Sequence, residues 1–268
     1  MKDIWQMWYN KKKGASFWRG VHMSDQTLLQ MLEESRYTTV LSGAGMLLES
    51  GYPAIRDGAE AYEMEQKYGH APEEIFRGSF YSTRTEQFFE FYKDVMLGAI
   101  DTPPGKCFYE MAELERRGLF QMIITRRVFG LPERAGCRNV INLHGSIYNN
   151  HCPHCGKKYS VDYIRNAKRV PLCEDCNTVI RPDVCLYGEM VSNQLITRAA
   201  EEVAKADVLL VLGANLKSYL CSHLLPYYHG EKLIVINSEP HFSDKYADMV
   251  IRRRVDDTLE QIRKELEN

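Results

Sequence analysis

The sequence predicts an α/β fold in which helices cover both faces of a parallel sheet and a smaller domain interrupts the chain. Apolar runs such as Val208–Leu212 and Lys232–Asn237 alternate with helical segments in the C-terminal third. Continuous apolar strands separated by helices are typical of parallel sheets that are buried on both faces. Two Cys-x-x-Cys pairs in the middle of the chain indicate a small unit built around a metal ion.

Length and charge exclude several classes of function. The chain has 268 residues, enough for a large core and a small satellite domain, and a net charge of −2 at pH 7. This charge gives no general attraction to nucleic acid or anionic membrane, and no apolar run approaches the length of a membrane span. Residues 1–24 resemble neither a secretory signal nor a mitochondrial presequence. We therefore expect a cytoplasmic protein without nucleic-acid or membrane partners, and the oligomeric state stays open.

The N-terminal sequence predicts a helix that follows an extension, residues 1–24, of undecided structure. Residues 1–24 fit either a peripheral helix or an interaction arm. Ser24 and Asp25 predict the N-cap of a helix over residues 26–34, whose leucines share one face.

A strand that ends in a glycine turn follows. The run Thr38–Ser42 is β-branched and apolar, predicts a short buried strand, and leads directly into Gly43-Ala44-Gly45. A glycine turn between strand and helix lets backbone N–H groups approach a pyrophosphate. On its own, with Leu48 in place of a third glycine, the motif marks an ordinary strand-to-helix turn more often than a nucleotide site.

The middle of the chain predicts a helical insertion over the nucleotide crevice, formed by residues 58–100. Its aromatic stripe, Glu86–Tyr92, has helical spacing and is interpreted as core. Pro103-Pro104-Gly105 ends the insertion, and a helix over residues 107–117 and a strand over residues 120–124 follow.

Beyond residue 195 the alternation of strands and helices returns. We predict a helix over 195–205, strands over 208–212, 232–237 and 247–251, and a terminal helix over 256–266. Four polar or glycine positions each follow a predicted strand: Gly43, Thr125, Gly213 and Asn237. Because ligands in parallel sheets bind at the carboxyl ends of strands, this agreement predicts a nucleotide crevice.

The cysteines divide into two groups. Cys152, Cys155, Cys173 and Cys176 form two Cys-x-x-Cys pairs separated by 17 residues. Four thiolates complete a closed tetrahedral Zn2+ site, so we predict a structural zinc that folds residues 147–182. A redox dithiol and an iron–sulfur cluster are the alternatives, and His151 and His154 are interpreted as surface residues. The other four cysteines, Cys107, Cys137, Cys185 and Cys221, have apolar neighbours and are interpreted as buried free thiols.

The motifs together resemble those of the sirtuins, the family of NAD-dependent protein deacylases, over residues 36–266. Gly43-Ala44-Gly45 and Pro53 with Arg56 match the family's first loop, Thr125, Gly130 and Leu131 its second, and His144-Gly145-Ser146 its third. The resemblance implies a Rossmann-like NAD-binding domain of residues 25–57, 101–146 and 183–268. It also implies a small domain made of the helical insertion, 58–100, and a zinc ribbon, 147–182.

The resemblance also implies roles for individual residues. His144 takes the place of the family's general base, and Leu186-Tyr187-Gly188-Glu189 that of the strand on which acyl-lysine peptides pair. The positions implied to contact NAD are Gly43, Ala44, Gly45, Arg56, Thr125, Arg126, Arg127, Gly213, Ala214, Asn215, Asn237 and Val255.

The departures from the family pattern concentrate on the nicotinamide half of the implied site. Arg126-Arg127 replace a Gln-Asn pair near the nicotinamide ribose, and Phe129 replaces the Asp that holds the nicotinamide amide. Two cations disfavour a cationic ring and favour a phosphate or carboxylate, unless they point to solvent or pair with Glu133. Tyr81-x-x-Arg84 is similar to a pair that some members use for acidic acyl groups, although its position does not fit well.

Three functional hypotheses follow from these motifs. The first is an NAD-dependent protein-lysine deacylase that transfers the acyl group to ADP-ribose, with His144 as base. The second is an ADP-ribosyltransferase or NAD hydrolase. The third is a catalytically weak protein that binds NAD or ADP-ribose. We favour the first.

Overall fold

The structure is a computed structural model and describes residues 25–52 and 59–268. The extension 1–24, the predicted N-cap residue Ser24 and the predicted NAD contact Arg56 lie outside the described residues.

The strands of the described residues form two sheets. The strands are β1 Thr38–Ser42, β2 Met122–Thr125, β3 Val140–Asn142, β4 Gly145–His151, β5 Lys158–Tyr159, β6 Arg181–Val184, β7 Val208–Leu212, β8 Lys232–Ile236 and β9 Met249–Ile251. The larger sheet has six strands, all parallel, in the order β3-β2-β1-β7-β8-β9. The smaller, antiparallel sheet has the order β5-β4-β6. The predicted α/β class with a parallel sheet is confirmed.

Helices cover the parallel sheet and fill the insertion. The helices are α1 Asp25–Glu34, α2 Ala44–Glu49, α3 Ala59–Tyr68, α4 Pro72–Ile75, α5 Gly78–Thr83, α6 Thr85–Phe91, α7 Lys106–Arg116, α8 Leu131–Ala135, α9 Val161–Asn166, α10 Asn193–Lys205, α11 Tyr219–Leu224 and α12 Val255–Glu265. A π-helical turn, Tyr92–Met96, continues α6, and short 3-10 helices lie at Gly98–Asp101, Leu225–Tyr227 and Phe242–Tyr246. None of the helices in the described part of the chain is long and apolar enough to span a membrane.

β1 is one of the two central strands of the parallel sheet: all five of its residues are buried and both of its edges are paired. Thr39 pairs with Met122 of β2 on one side and with Leu209 of β7 on the other. Apolar side chains of successive residues point to opposite faces of such a strand, so both faces must be covered. Two buried hydrophobic clusters, one on each face, cover them.

The insertion is helical as predicted and packs around its own aromatic residues. Phe88, Phe89, Phe91 and Tyr92 are fully buried, and their rings meet mostly edge to face, for example Phe88 and Phe89 at 5.3 Å between centroids. The interpretation of this stripe as core is therefore confirmed. Lys93 donates to the carbonyl oxygens of residues 167 and 169, which ties the insertion to residues 147–182, here called the four-cysteine unit.

One predicted strand is wrong. Leu186–Glu189 forms an extended loop and turn, with one isolated bridge between Tyr187 and Arg77. Gly188 has a φ of +87°, which a strand cannot accommodate.

Candidate functional site

Two glycine turns interlock at the carboxyl ends of β1 and β7. The Gly43 amide donates to the Leu212 carbonyl and the Gly45 amide to the Gly213 carbonyl, each at 2.8 Å. A Cβ atom on Gly43 would lie 2.4 Å from the Gly213 oxygen, and Gly213 itself has a φ of +58°. These positions need glycine for the contact between the turns as well as for any approach of a phosphate.

The resemblance implies NAD contacts for two asparagines and Val255 as well as for these turns. We call this set the ADP side: Gly43, Ala44, Gly45, Gly213, Ala214, Asn215, Asn237 and Val255. The Asn215 Oδ1 accepts from the Lys217 amide at 3.0 Å, and the Asn237 Nδ2 donates to the Glu239 carbonyl at 2.9 Å. Both side chains therefore shape their own turns. The Val255 side chain is buried in the core, and its amide donates to Glu49 at 3.2 Å.

His144 and Arg126 are in direct contact at the ends of β3 and β2. The Nε of Arg126 donates to the Nε2 of His144 at 3.0 Å. The same guanidinium lies over the ring of Tyr219, with Cζ 3.8 Å from the ring centroid. A guanidinium only donates, so the Nε2 of His144 carries a lone pair in this contact. The structure thus brings together two predicted residues, His144 and Arg126, with Tyr219, which sequence reasoning missed.

Thr125 has a structural position between two strands. Its buried hydroxyl donates to the Ser42 carbonyl at 3.3 Å and accepts from the Arg127 amide at 3.1 Å. These two contacts hold the turn after β2 next to the end of β1. They place Arg126 and Arg127 beside the glycine turn.

Phe129 is buried and packs on Tyr52, with ring centroids 5.1 Å apart. The Tyr52 hydroxyl donates to the Thr102 carbonyl and accepts from Arg134, both at 2.8 Å. Where the resemblance implies a carboxylate for the nicotinamide amide, this chain has an aromatic pair whose polar atoms are already used. We call Arg126, Phe129, His144 and Tyr219 the nicotinamide side.

The loop Leu186–Glu189 is fastened to the helical insertion and to β6. The Tyr187 amide donates to the Phe76 carbonyl at 2.8 Å, and its own carbonyl accepts from Gly78 at 3.1 Å. Glu189 accepts from the Leu186 amide at 2.8 Å and forms an ion pair with Arg181. The loop is therefore a preformed, internally bonded turn beside Cys185, whose amide donates to the His144 carbonyl at 2.9 Å.

Tyr81 and Arg84 do not form a joint acid-binding pair. Tyr81 lies against the guanidinium of Arg181, at 4.7 Å from the ring centroid. Arg84 instead bonds to His70 at 2.6 Å. The two side chains have separate partners within the insertion and β6, so the structure gives this resemblance no support.

Three of the four scattered cysteines are buried, as predicted. Burial raises the pKa of the Cys137 and Cys221 thiols to about 12, and it raises the pKa of Cys107 as well. Cys185 is only half-buried, so its interpretation as a buried thiol is wrong. It directly follows β6, which ends at Val184.

The four predicted zinc ligands converge. Their sulfur atoms all lie within 4.8 Å of one another, and the closest pairs are Cys152 with Cys176 at 3.3 Å and Cys155 with Cys173 at 3.6 Å. Four thiolates around one Zn2+ at about 2.3 Å require this spacing. The Tyr159 hydroxyl donates to Cys173 and lowers the pKa of that thiol to about 6, which favours the thiolate that a metal needs. The donor set fits a closed structural zinc site.

Neither nearby histidine joins this cluster. His151 bonds to Asp183 across the small sheet, and His154 is exposed. Both agree with the interpretation as residues outside the metal site.

The sequence is similar to known proteins along most of its length. The model of the Sir2 family matches residues 43–219. An NAD-dependent protein deacetylase of Clostridium acetobutylicum is 34% identical over 236 residues, which cover 88% of this chain and 96% of that protein. One of Clostridium tetani is 35% identical, covering 90% and 98%. The solved structure of Sir2 with a p53 peptide and NAD+ superposes with a TM-score of 0.76 at 28% identity, covering 91% of this chain and 99% of that one.

Proposed function

Because this chain belongs to the Sir2 family, we propose that it is an NAD-dependent protein deacylase that removes acyl groups from lysine side chains. One observation carries the assignment to the site: His144 presents a lone-pair nitrogen beside the glycine turns at the carboxyl edge of the parallel sheet. A base at this edge is what deacylation requires and a simple nucleotide binder does not.

The residues of the ADP side would hold the pyrophosphate and adenosine ribose of NAD. Gly43, Gly45 and Gly213 present a surface without side chains, which lets a phosphate approach the backbone closely. Asn215 and Asn237 lie in the turns that follow the neighbouring strands β7 and β8 and would supply amide groups for ribose hydroxyls. NAD, when bound, supplies the ADP-ribose group that accepts the acyl group and the nicotinamide that leaves.

His144 would act as the general base through Nε2. A neutral imidazole with a lone pair on this nitrogen is ready to take a proton from a ribose hydroxyl. In the structure that lone pair accepts from Arg126, so the arginine must release His144 before the proton moves. Arg126 is therefore the first side chain that a bound ligand has to displace.

The loop Leu186–Glu189 and the four-cysteine unit would position the peptide substrate. Backbone pairing with an extended peptide is a common recognition mode, and this loop lies next to His144 through Cys185. Zn2+ bound by the four cysteines would have a structural role because a closed thiolate site leaves no open position for chemistry. We propose the domain division given above, with the Rossmann-like domain and the small domain facing each other across the cleft.

We also propose that the protein is cytoplasmic. Its eight cysteines form no disulfide, and cysteines that stay out of disulfides are typical of reducing compartments.

The test is nicotinamide release from NAD+ by the purified full chain with a panel of acyl-lysine peptides. We expect peptide-dependent release that His144→Ala lowers by roughly 10²–10⁴-fold, the usual contribution of a general base. His229→Ala removes an exposed histidine and is the matched control. Release without peptide would instead establish ADP-ribosyl transfer or NAD hydrolysis, which the altered nicotinamide side makes the second candidate. No release with any peptide would reject the deacylase.

A further inference from the structure

Arg181 binds the loop Leu186–Glu189 from the first residue of β6. Its Nη2 lies 2.8 and 2.6 Å from the two carboxylate oxygens of Glu189 and donates to the Val184 carbonyl at 3.2 Å. A nitrogen with two hydrogens thus serves both the end of β6 and the last residue of the loop. The side chains of Arg181 and Glu189 are only 17% and 36% exposed, so water screens this ion pair in part.

Tyr81 of the helical insertion fixes the position of Arg181. The Cζ of Arg181 lies 4.7 Å from the centroid of the Tyr81 ring, and the Tyr81 hydroxyl donates to the Ile180 carbonyl at 3.3 Å. Arg181 therefore contacts the insertion, the small sheet and the loop at the same time. Because the guanidinium is already held against a ring, it loses less freedom on binding a carboxylate than a mobile surface side chain does.

Glu189 uses its carboxylate inside the loop. Besides Arg181, its Oε2 accepts from the Leu186 amide at 2.8 Å, and the Glu189 amide donates to the Leu186 carbonyl at 3.0 Å. These two contacts close the loop around Tyr187 and Gly188. The resemblance implies a substrate contact for Glu189, but its acidic group is committed to the loop's own backbone. Its effect on a substrate would therefore act through the conformation of the loop.

The conformation of the loop decides how readily a peptide can pair with it. The loop lies outside both sheets, and Gly188, Glu189 and the following Met190 are exposed. An exposed segment without a strand partner opens easily unless its turn is closed by other bonds. A peptide binds only the fraction of molecules whose loop has the right conformation, so a closed turn raises the apparent affinity.

We propose that Arg181 is a positioning residue that, through Glu189, keeps the loop Leu186–Glu189 in the conformation that binds the acyl-lysine peptide. The proposal rests on the proposed function because it takes this loop as the peptide-binding element, and it deepens it by assigning Glu189 to the loop instead of the substrate. Loss of the ion pair weakens peptide binding and leaves the chemical step largely intact. The backbone bond from Cys185 to His144 does not involve either side chain of the pair.

The test is steady-state deacylation by the zinc-loaded full chain at saturating NAD+, with the best acyl-lysine substrate of the peptide panel. Two versions of this peptide carry either neutral or basic residues beside the acyl-lysine. We expect Arg181→Met and Glu189→Gln each to raise the peptide KM by roughly tenfold, as expected for a lost charge-assisted hydrogen bond, and to change kcat by less than about threefold. The double variant should raise KM by the same factor, because two residues that act as one unit are not additive.

Two further measurements separate positioning from a general loss of structure. Affinity for ADP-ribose, measured by calorimetry, should stay within about twofold in all three variants, since the ADP side lies on other strands. Arg165→Gln breaks an exposed ion pair between α9 and Asp101 and is the matched control, which should change neither KM nor kcat.

Each outcome decides the proposal. An unchanged KM in both single variants, or effects that multiply to roughly a hundredfold in the double variant, would overturn it while leaving the deacylase assignment intact. A rise in KM that Glu189→Gln shows only with the basic peptide would overturn it in favour of direct substrate contact. A parallel loss of ADP-ribose affinity would show that the ion pair has only a structural role. If wild type deacylates no peptide of the panel, the proposed function fails together with this inference.

Discussion

The two sides of the cleft are built in different ways. The ADP side consists mainly of backbone, with Gly43 and Gly45 pressed against Gly213 so closely that a Cβ atom does not fit. The nicotinamide side consists of side chains, chiefly Arg126 and Phe129, held by stacking and packing. A backbone surface depends on glycine and tolerates little change, whereas a side-chain surface can be altered one residue at a time. The sequence departs from the sirtuin pattern mainly on the side that is built from side chains.

The largest expected effect is that of removing Zn2+, which should lower deacylation far more than ADP-ribose affinity. β4 begins next to His144 and ends next to Cys152, so one strand links the proposed base to the four-cysteine cluster. Removing Zn2+ with a chelator should unfold the four-cysteine unit and lower deacylation by roughly 100-fold or more, because structural zinc supplies much of the folding free energy of such units. ADP-ribose affinity, measured by calorimetry, should change by less than about threefold because the ADP side lies on β1, β7 and β8.

Zinc readdition is the control and should restore deacylation. A parallel loss of ADP-ribose binding would show that the two sides form one cooperative unit.

The next largest effect is expected from a substitution of one glycine on the ADP side. Gly213→Val places a branched side chain at a φ of +58° and 2.7 Å from the Met46 amide nitrogen. We expect the free energy of unfolding to fall by about 3 kcal/mol, because both strain and overpacking contribute. The affinity for ADP-ribose should fall by roughly 100-fold for the same reason. Chemical denaturation and calorimetry measure these quantities.

Gly118→Val is the matched control, since Gly118 has a φ of +80° but no neighbouring atom within 4 Å of where its Cβ atom would lie. It should cost only the strain, about 1–2 kcal/mol, and leave ADP-ribose affinity unchanged. Equal effects of the two variants would mean that the interlocked turns are not what the ligand contacts.

The smallest expected effect is on stability and comes from a substitution on the nicotinamide side. Phe129→Leu shortens a buried ring that packs on Tyr52 and should lower the free energy of unfolding by about 1 kcal/mol. Affinity for NAD+ and ADP-ribose should stay within about twofold if Phe129 is core rather than a ligand contact. Phe242→Leu alters a ring that is 67% exposed and should change stability by less than about 0.5 kcal/mol. A change in NAD+ affinity without loss of stability would assign Phe129 to the ligand surface.

Local patterns predicted the fold well. β1 and β7 have the bounds that their apolar runs predict. α1 begins one residue earlier than predicted, and α7 begins and ends one residue earlier than predicted. The four cysteines were predicted as a cluster because their spacing already encodes the turn geometry. Such features depend on neighbours in sequence, which periodicity and spacing record.

Contacts between distant residues could not be predicted in the same way. Nothing in the sequence around Arg126 indicates Tyr219 as its platform, and these residues meet only because β1, between β2 and β7, brings two chain segments together. The strand predicted at Leu186–Glu189 failed for a related reason. Its bonds go to Phe76 and Gly78 of the insertion, more than a hundred residues earlier.

The central place of β1 also governs how the protein is made. One edge of β1 can pair once β2 has been synthesised, but the other waits for β7, and the Asp207 carboxylate that binds Ser35 is 172 residues further along. At a ribosomal rate of roughly 5–20 residues per second, the β1 edge that pairs with β7 stays unpaired for on the order of ten seconds. During that interval the nascent chain offers an unpaired, hydrophobic strand to any neighbour. The glycine turn after β1 is therefore among the first parts of the cleft to be synthesised and among the last to meet its partner, Gly213.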